Sequence, residues 1–211
     1  MITSRRTLML GLLAGGAAVA LSQPRLALAS IETDASAFLT NLGNEAITEL
    51  TNKAEDQQAR VDAFRDLMVR GVDFDLIAQA VLGRYWRASD EAVRNEFAVV
   101  LRETLINRFL PLFDKYQGET FKVVATRTSS SDPTLVAATT NVLAPNGEVA
   151  KVEWYMKQTG DGLRIYDFAA EGVRLTISLQ DEYNSVLNKN DGDVAALTAL
   201  LKKKLPATAR M

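Results

Sequence analysis

Asp167 is the residue of this chain whose type and setting most suggest chemistry. It lies in Leu163-Arg164-Ile165-Tyr166-Asp167-Phe168-Ala169, a run that reads as a β-strand with mostly apolar neighbours. A carboxylate held there can act as a buried general base, with Tyr166 or Tyr155 as the acid, as in cone-shaped α+β isomerases. The commoner role of such an Asp is to accept backbone hydrogen bonds at a turn, and Glu171-Gly172 supplies a turn just downstream. Asp73 and Asp75 are close neighbours, but their place before an apolar helical run reads as capping rather than metal binding.

Two absences narrow the chemistry further. The 211 residues contain no His and no Cys. That removes Ser-His-Asp and Cys-His nucleophiles, zinc sites built on those ligands, disulfides and an acylated N-terminal Cys. There is no Gly-rich phosphate loop, no Gly-x-Ser-x-Gly elbow and no calcium loop. Neither a catalytic residue, a metal nor a cofactor is expected, and a His-free enzyme built on Asp167 is the alternative.

The elements that must position these residues centre on 149–173. Val152, Trp154 and Met156 alternate with Lys151, Glu153, Tyr155 and Lys157, the period of a strand with one apolar face. Thr159-Gly160-Asp161-Gly162 reverses the chain. Strict alternation then predicts Leu163, Ile165, Asp167 and Ala169 on one face of the next strand, and Tyr166 and Phe168 on the other. Phe121 to Arg127 and Thr134 to Leu143 read as two earlier strands, with Pro145-Asn146-Gly147 as a turn.

Helical spacing occupies the remainder. Phe38, Leu42, Ala46 and Leu50 form one stripe over 34–51, and Val61, Phe64, Leu67 and Met68 form a second that ends at Gly71. Asp73 caps a short helix carrying Phe74, Ile77 and Val81, which Gly83 ends, with Tyr85-Trp86 in the connection. Ser89 is the expected cap of the longest helix, whose inner face holds Val93, Phe97, Val100, Leu101, Leu105 and Phe109. Pro111 predicts a kink or break near Leu110. Leu179, Tyr183 and Leu187, then Val194, Leu197 and Leu201 behind Asp193, give two closing helices. Lys202-Lys203-Lys204 suits the negative end of the last helix, with an anionic membrane surface as the alternative reading. Helices followed by contiguous strands predict an α+β fold, with helices over one face of a twisted antiparallel sheet of about four strands and an apolar cavity between.

The first 29 residues read as an export signal. Arg5 and Arg6 precede an apolar centre from Leu8 to Leu21, and Ala27-Leu28-Ala29 is a small-x-small cleavage site. The centre is short of the ~20 residues needed to span a bilayer. Ser4-Arg5-Arg6-Thr7-Leu8 resembles a twin-arginine signal, with a general secretory signal as the alternative. Residues 30–205 are then one domain and 206–211 a tail. Apart from Arg5, Arg6 and Arg25 the chain keeps 24 − 3 = 21 basic against 26 acidic residues, a balance that speaks against nucleic acid as a partner.

The order of these pieces resembles a known family. Phe74-Asp75-Leu76-Ile77-Ala78 and Val81-Leu82-Gly83-Arg84-Tyr85-Trp86-Arg87-Ala88-Ser89 look like the opening signature of the MlaC-type, or toluene-tolerance, phospholipid-binding proteins. Phe97, Leu105, Phe109 and Tyr116-Gln117-Gly118 resemble the long helix and its exit. Tyr166-Asp167-Phe168, Glu171-Gly172-Val173, Asp181-Glu182-Tyr183 and the helix from Gly192 to Leu201 resemble the closing segments. Phe109, Leu110-Pro111 and Ile177–Gln180 depart from the usual pattern. The resemblance implies a periplasmic carrier passing phospholipid between an inner-membrane lipid ABC transporter complex and an outer-membrane lipoprotein complex, so maintaining outer-membrane asymmetry. A hopanoid or other polycyclic lipid is the alternative cargo. Two acyl chains with about thirty methylenes would lose on the order of 20 kcal/mol or more on entering water, which only an apolar site offsets. On this reading the lipid-binding residues are Ile77, Val81, Phe97, Leu101, Leu105, Phe109, Val152, Trp154 and Met156, each of which also suits ordinary core packing. Arg84, Arg87 and Lys151 are the candidates to meet the phosphate.

Overall fold

The computed structural model describes residues 24–51, 56–147 and 149–206. Most of the expected export signal, and the end of the tail, lie outside the described residues.

The helices come first in the chain: α1 (Pro24–Leu50), α2 (Gln57–Gly71), α3 (Phe74–Leu82), α4 (Arg84–Ala88) and α5 (Glu91–Phe113). The strands β1 (Thr120–Thr128), β2 (Leu135–Leu143), β3 (Val149–Thr159), β4 (Gly162–Ala170) and β5 (Val173–Arg174) follow. The chain then closes with α6 (Leu175–Lys189) and α7 (Val194–Lys204). The strands form one antiparallel meander in chain order, β1-β2-β3-β4-β5. This is the α+β class expected, with the short β5 added to the four strands read from the sequence.

Local signals account for most boundaries. Asp73 accepts a 2.9 Å bond from the Leu76 amide, and Asp193 accepts from Ala195 and Ala196, so both predicted caps are formed. Gly83 ends α3 at φ 53°, a conformation in which any side chain would be strained. Gly160-Asp161 makes a two-residue hairpin turn between Thr159 and Gly162.

Three expectations are corrected. Ser89 does not cap α5: its hydroxyl donates to the Tyr85 carbonyl at 2.8 Å, because Arg84–Ala88 forms a helical turn of its own and Ser89 closes it. The N-cap is Asp90, which makes no side-chain capping bond. Of the kink or break expected near Leu110, the break is absent, since α5 runs through Pro111 to Phe113. Proline is tolerated there because it falls in the final turn, where few carbonyls remain to be deprived of a donor.

The third correction concerns β4. Tyr155 pairs with Asp167 but Met156 pairs with Ile165, leaving Tyr166 as one extra residue in the ladder. This β-bulge shifts the alternation. Phe168, paired with Trp154, therefore joins the face that carries Ile165 and Met156, while Asp167 and Ala169 turn to the opposite face. A second bulge at Val124 interrupts β1 in the same way.

The helix-facing side of the sheet carries Phe121 and Val123 from β1, Val136, Ala138 and Thr140 from β2, Val152, Trp154 and Met156 from β3, and Ile165 and Phe168 from β4. α1 lies across β1 and β2 on this side. A Cβ on Gly43 would meet the Phe121 ring at 3.1 Å, so glycine permits that approach.

Candidate functional site: an apolar seam between helices and sheet

Burial divides the apolar interior into separate cores. One is formed among α3, α5, α6 and α7 around Ile77, Val81, Phe97, Leu101, Leu105, Leu179 and Tyr183. A second joins Ala35 and Leu39 of α1 to Val136, Ala138, Met156, Leu163 and Ile165 of the sheet. A third, smaller one holds Leu50, Phe64, Leu67 and Ile106. Where they meet, the apolar side chains are only half-buried.

That junction is built from large rings. Phe109 of α5 packs edge-on against Phe168 of β4, with centroids 5.6 Å apart. Phe168 in turn lies 5.5 Å from Trp154 of β3. All three are partly exposed, and together they border all three sealed regions: Phe109 and Phe168 the helical core, Trp154 the α1–sheet core, and Phe109 also the third. Leu42 of α1 borders both the α1–sheet core and the third core. The indole is fixed in orientation, since Trp154 Nε1 donates to Thr140 Oγ1 at 2.9 Å. Thr140 is fully buried and its hydroxyl also donates to the Val152 carbonyl at 3.3 Å. The polar atom of the indole is thereby satisfied inside the sheet, and its ring presents apolar surface to the seam.

The nine residues expected to meet a ligand fall in different places. Phe109, Val152 and Trp154 are at or beside the seam and half-buried. Ile77, Val81, Phe97, Leu101 and Leu105 are sealed in the helical core, where Phe97 meets Tyr183 edge-on with centroids 6.2 Å apart. Met156 is sealed beneath α1. Alternating strand and helix patterns identify inward positions, but not which of several cores an inward residue joins. Phe168 was missed for a different reason: the bulge at Tyr166 has no signature in the hydrophobic pattern.

Two clefts open at the surface among the described residues. One, of about 380 Å³, lies between the start of α3 and the β3–β4 turn and is lined by Asp73, Asp75, Asp161 and Arg164 among others. The other, of about 340 Å³, lies between α5 and the end of α7. The first is lined mostly by polar side chains and the second lies among helices, so neither is an apolar cavity beneath the sheet.

The chemical candidates are placed just as clearly. Asp167 is fully buried on the side of the sheet away from the seam. Its carboxylate accepts from the Phe168 amide (2.9 Å), Arg174 Nε (2.7 Å), and the Thr176 amide (3.1 Å) and hydroxyl (2.6 Å). These bonds clamp β4 to the start of α6; the turn donors are Phe168 and Thr176, not the expected Glu171-Gly172. Burial and the Glu153 contact raise the Tyr155 phenol above its ordinary value, and burial raises that of Tyr166. Both are moved away from the range useful for proton transfer near neutral pH. Lys151 also points away from the seam, on the Tyr155 side of the sheet. Arg84 bonds Tyr85, whose ring covers Gly192 and whose hydroxyl donates to Asn188, so it belongs to the α4–α6 contact.

Fold and seam together define an α+β protein that keeps apolar surface accessible where its layers meet. The chain belongs to the MlaC protein family, whose model matches residues 40–203. Among solved structures it is similar to a phospholipid-binding protein from Ralstonia solanacearum, in complex with a phospholipid. The two share 19% identity and a TM-score of 0.70, over 81% of this chain and 96% of that one. At this identity the likeness establishes the fold. Among the described residues no helix is long and apolar enough to cross a membrane.

Proposed function

We propose that the protein is a periplasmic phospholipid carrier that takes lipid between an inner-membrane lipid ABC transporter complex and an outer-membrane lipoprotein complex. Membership of the MlaC family, a fold shared with a phospholipid-binding protein and an N-terminus that reads as an export signal all support this reading. The observation that carries it is the ring series Phe109–Phe168–Trp154, half-exposed between cores that are otherwise sealed. Acyl chains lie along these rings and Val152, while Ile77, Val81, Phe97, Leu101, Leu105 and Met156 hold the walls behind them. The lipid is cargo rather than substrate, so no nucleophile is called for. This agrees with a chain free of His and Cys in which the buried strand carboxylate, Asp167, is committed to Arg174 and Thr176.

Organic extraction of protein purified from a bacterial periplasm, followed by lipid mass spectrometry, is expected to recover diacyl phospholipid. A sterol-like or hopanoid species alone would reassign the cargo, and empty protein would overturn the proposal. Trp86→Phe leaves Trp154 as the sole indole, and its emission is expected to move to longer wavelength on delipidation and back on reloading.

A further inference from the structure

We propose that the last turn of α5, residues 110–113, is a yielding lip over the open end of the seam, and that lipid enters and leaves beneath it. Such a lip has a use only if the cargo reading above is right. Burial on the helix-facing side of the sheet falls steadily toward one end. Along β3 it passes from sealed Met156 through half-buried Trp154 and Val152 to exposed Ala150. β4 follows the same course, from sealed Ile165 through Phe168 to exposed Ala170. Ala170 pairs with Val173 of β5, which is therefore also helix-facing, yet 63% exposed. On β2 the neighbouring Thr140 stays fully buried, so the opening lies over β3, β4 and β5 rather than under α1.

The end of α5 reaches this opening. Phe109 meets the Phe168 ring, and Ala170 is the next residue along β4 on the same side. Residues 114–119 then return the chain to Thr120, which with Leu143 and Val149 forms the end row of the sheet beside Ala150. Turn bonds from the Lys115 amide to the Leu112 carbonyl and from the Tyr116 amide to the Phe113 carbonyl, each 3.2 Å, take up part of that short connection. Leu112, 59% exposed, is one helical turn beyond Arg108, which lies 3.6 Å from Glu182 of α6. That stripe of α5 faces α6, and α6 grows directly out of β5, so Leu112 is on the Val173 side of the opening.

Pro111 lets this turn yield. It has no N–H to offer the Asn107 carbonyl, and its ring crowds that group, so the turn beyond it is held by fewer bonds than the helix before it. Helices bend at such positions. On the opposite stripe the turn is tied to α2: Phe113 packs on Phe64 with centroids 5.5 Å apart, and Asp114 accepts from Arg60 at 2.6 Å. Arg60 in turn donates to the Leu50 carbonyl at 3.0 Å. One stripe is thus anchored while the other, with exposed Pro111 and Leu112, borders the opening. A bend at Pro111 admits an acyl chain to Phe109, Phe168 and Trp154 without disturbing the sealed cores, and exposed aliphatic side chains on both margins ease its passage out of water.

The absence of Cys from the chain allows a direct test. Delipidated protein is loaded with a phosphatidylcholine bearing a short NBD-hexanoyl chain, and uptake is followed by NBD emission. Leu112→Cys/Val173→Cys, joined by a bifunctional methanethiosulfonate, is expected to stop uptake, and dithiothreitol to restore it. The same pair capped with a monofunctional methanethiosulfonate should load at nearly the wild-type rate. Pro111→Ala, which returns a donor to the Asn107 carbonyl, is expected to slow loading roughly fivefold, the equivalent of one net backbone hydrogen bond, with the final amount of lipid unchanged. A purely structural proline would shift stability and leave that rate alone. Circular dichroism confirms that the variants fold. Failure of the bridge to form would place Leu112 away from the opening and overturn the proposal. Unimpaired uptake by the bridged protein, or a wild-type rate in Pro111→Ala, would overturn it as well while leaving the cargo reading intact. A wild-type protein that takes up no phospholipid would overturn both.

Discussion

The helical core and the aromatic seam use the same kinds of residue to opposite ends. In the core, Phe97 and Tyr183 meet edge-on and leave almost no surface to solvent. In the seam, Phe109, Phe168 and Trp154 make equally close ring contacts, yet all three keep exposed area. The difference lies in what surrounds them. The core rings are enclosed by four helices, whereas the seam rings lie where a helix end, α1 and the twisted sheet diverge. Apolar surface left open at such a junction costs stability, and a protein that keeps it has a use for it.

Substitutions on the two sides should separate stability from binding. The largest effect on folding is expected from Phe97→Ala, about 3–5 kcal/mol by denaturant titration, because the cavity has no solvent-side neighbour that can relax into it. Phospholipid recovered from whatever remains folded should be near the wild-type amount per molecule. If Phe97→Ala emptied the protein while Phe168→Ala did not, the assignment of core and seam would be reversed.

Asp167→Ala should come next, at about 2–3 kcal/mol. The loss is smaller than for a wholly buried pair, since Arg174 is itself 40% exposed and can return to water. Lipid recovery should again hold. A role for Asp167 as a general base would instead show as lost turnover of a bound ligand without much change in stability.

Phe168→Ala and Trp154→Ala are expected to cost only about 1–2 kcal/mol, because part of each ring already faces solvent. Their lipid content should fall severalfold when measured by extraction. Retained lipid in the double variant would place the cargo elsewhere.

The smallest effect is a pH dependence confined to alkali. Burial raises the Tyr183 phenol well above its ordinary value, with Glu182 adding to the shift. The folded state therefore holds that proton more tightly than the unfolded chain does. Its contribution is complete below about pH 10, the unfolded value, and drains away as pH rises above it, at a slope of up to about 1.4 kcal/mol per pH unit. Tyr183→Phe should flatten the stability curve between pH 10 and 11, and a curve unchanged from wild type would place the alkaline sensitivity in another group.

Much of this architecture was legible from residue spacing. Leu179, Tyr183 and Leu187 predicted the inner face of α6, and all are sealed. Asp73 and Asp193 predicted caps, and both are bonded as caps. Such signals are local, since a helix face or cap is decided within a turn or two of chain. The β4 face was misread because a bulge depends on how the neighbouring strand is paired. Ser89 was misread because the one-turn helix before it competes for the same hydroxyl.

What the sequence determined by itself was the list of available parts: amphipathic helices, alternating strands, their caps and turns, and a chemistry without His or Cys. These follow from periodicity, backbone preference and side-chain pKa, all properties of short segments. Only the tertiary structure decided which apolar residues are sealed and which stay open. It brought Phe168 beside Trp154, turned Asp167 to the other side of the sheet, and set nearly all the inward stripe of α5 in a core with Phe109 at its edge. Those outcomes depend on strand register and on the angle at which layers meet, and such quantities arise only when distant parts of the chain come together.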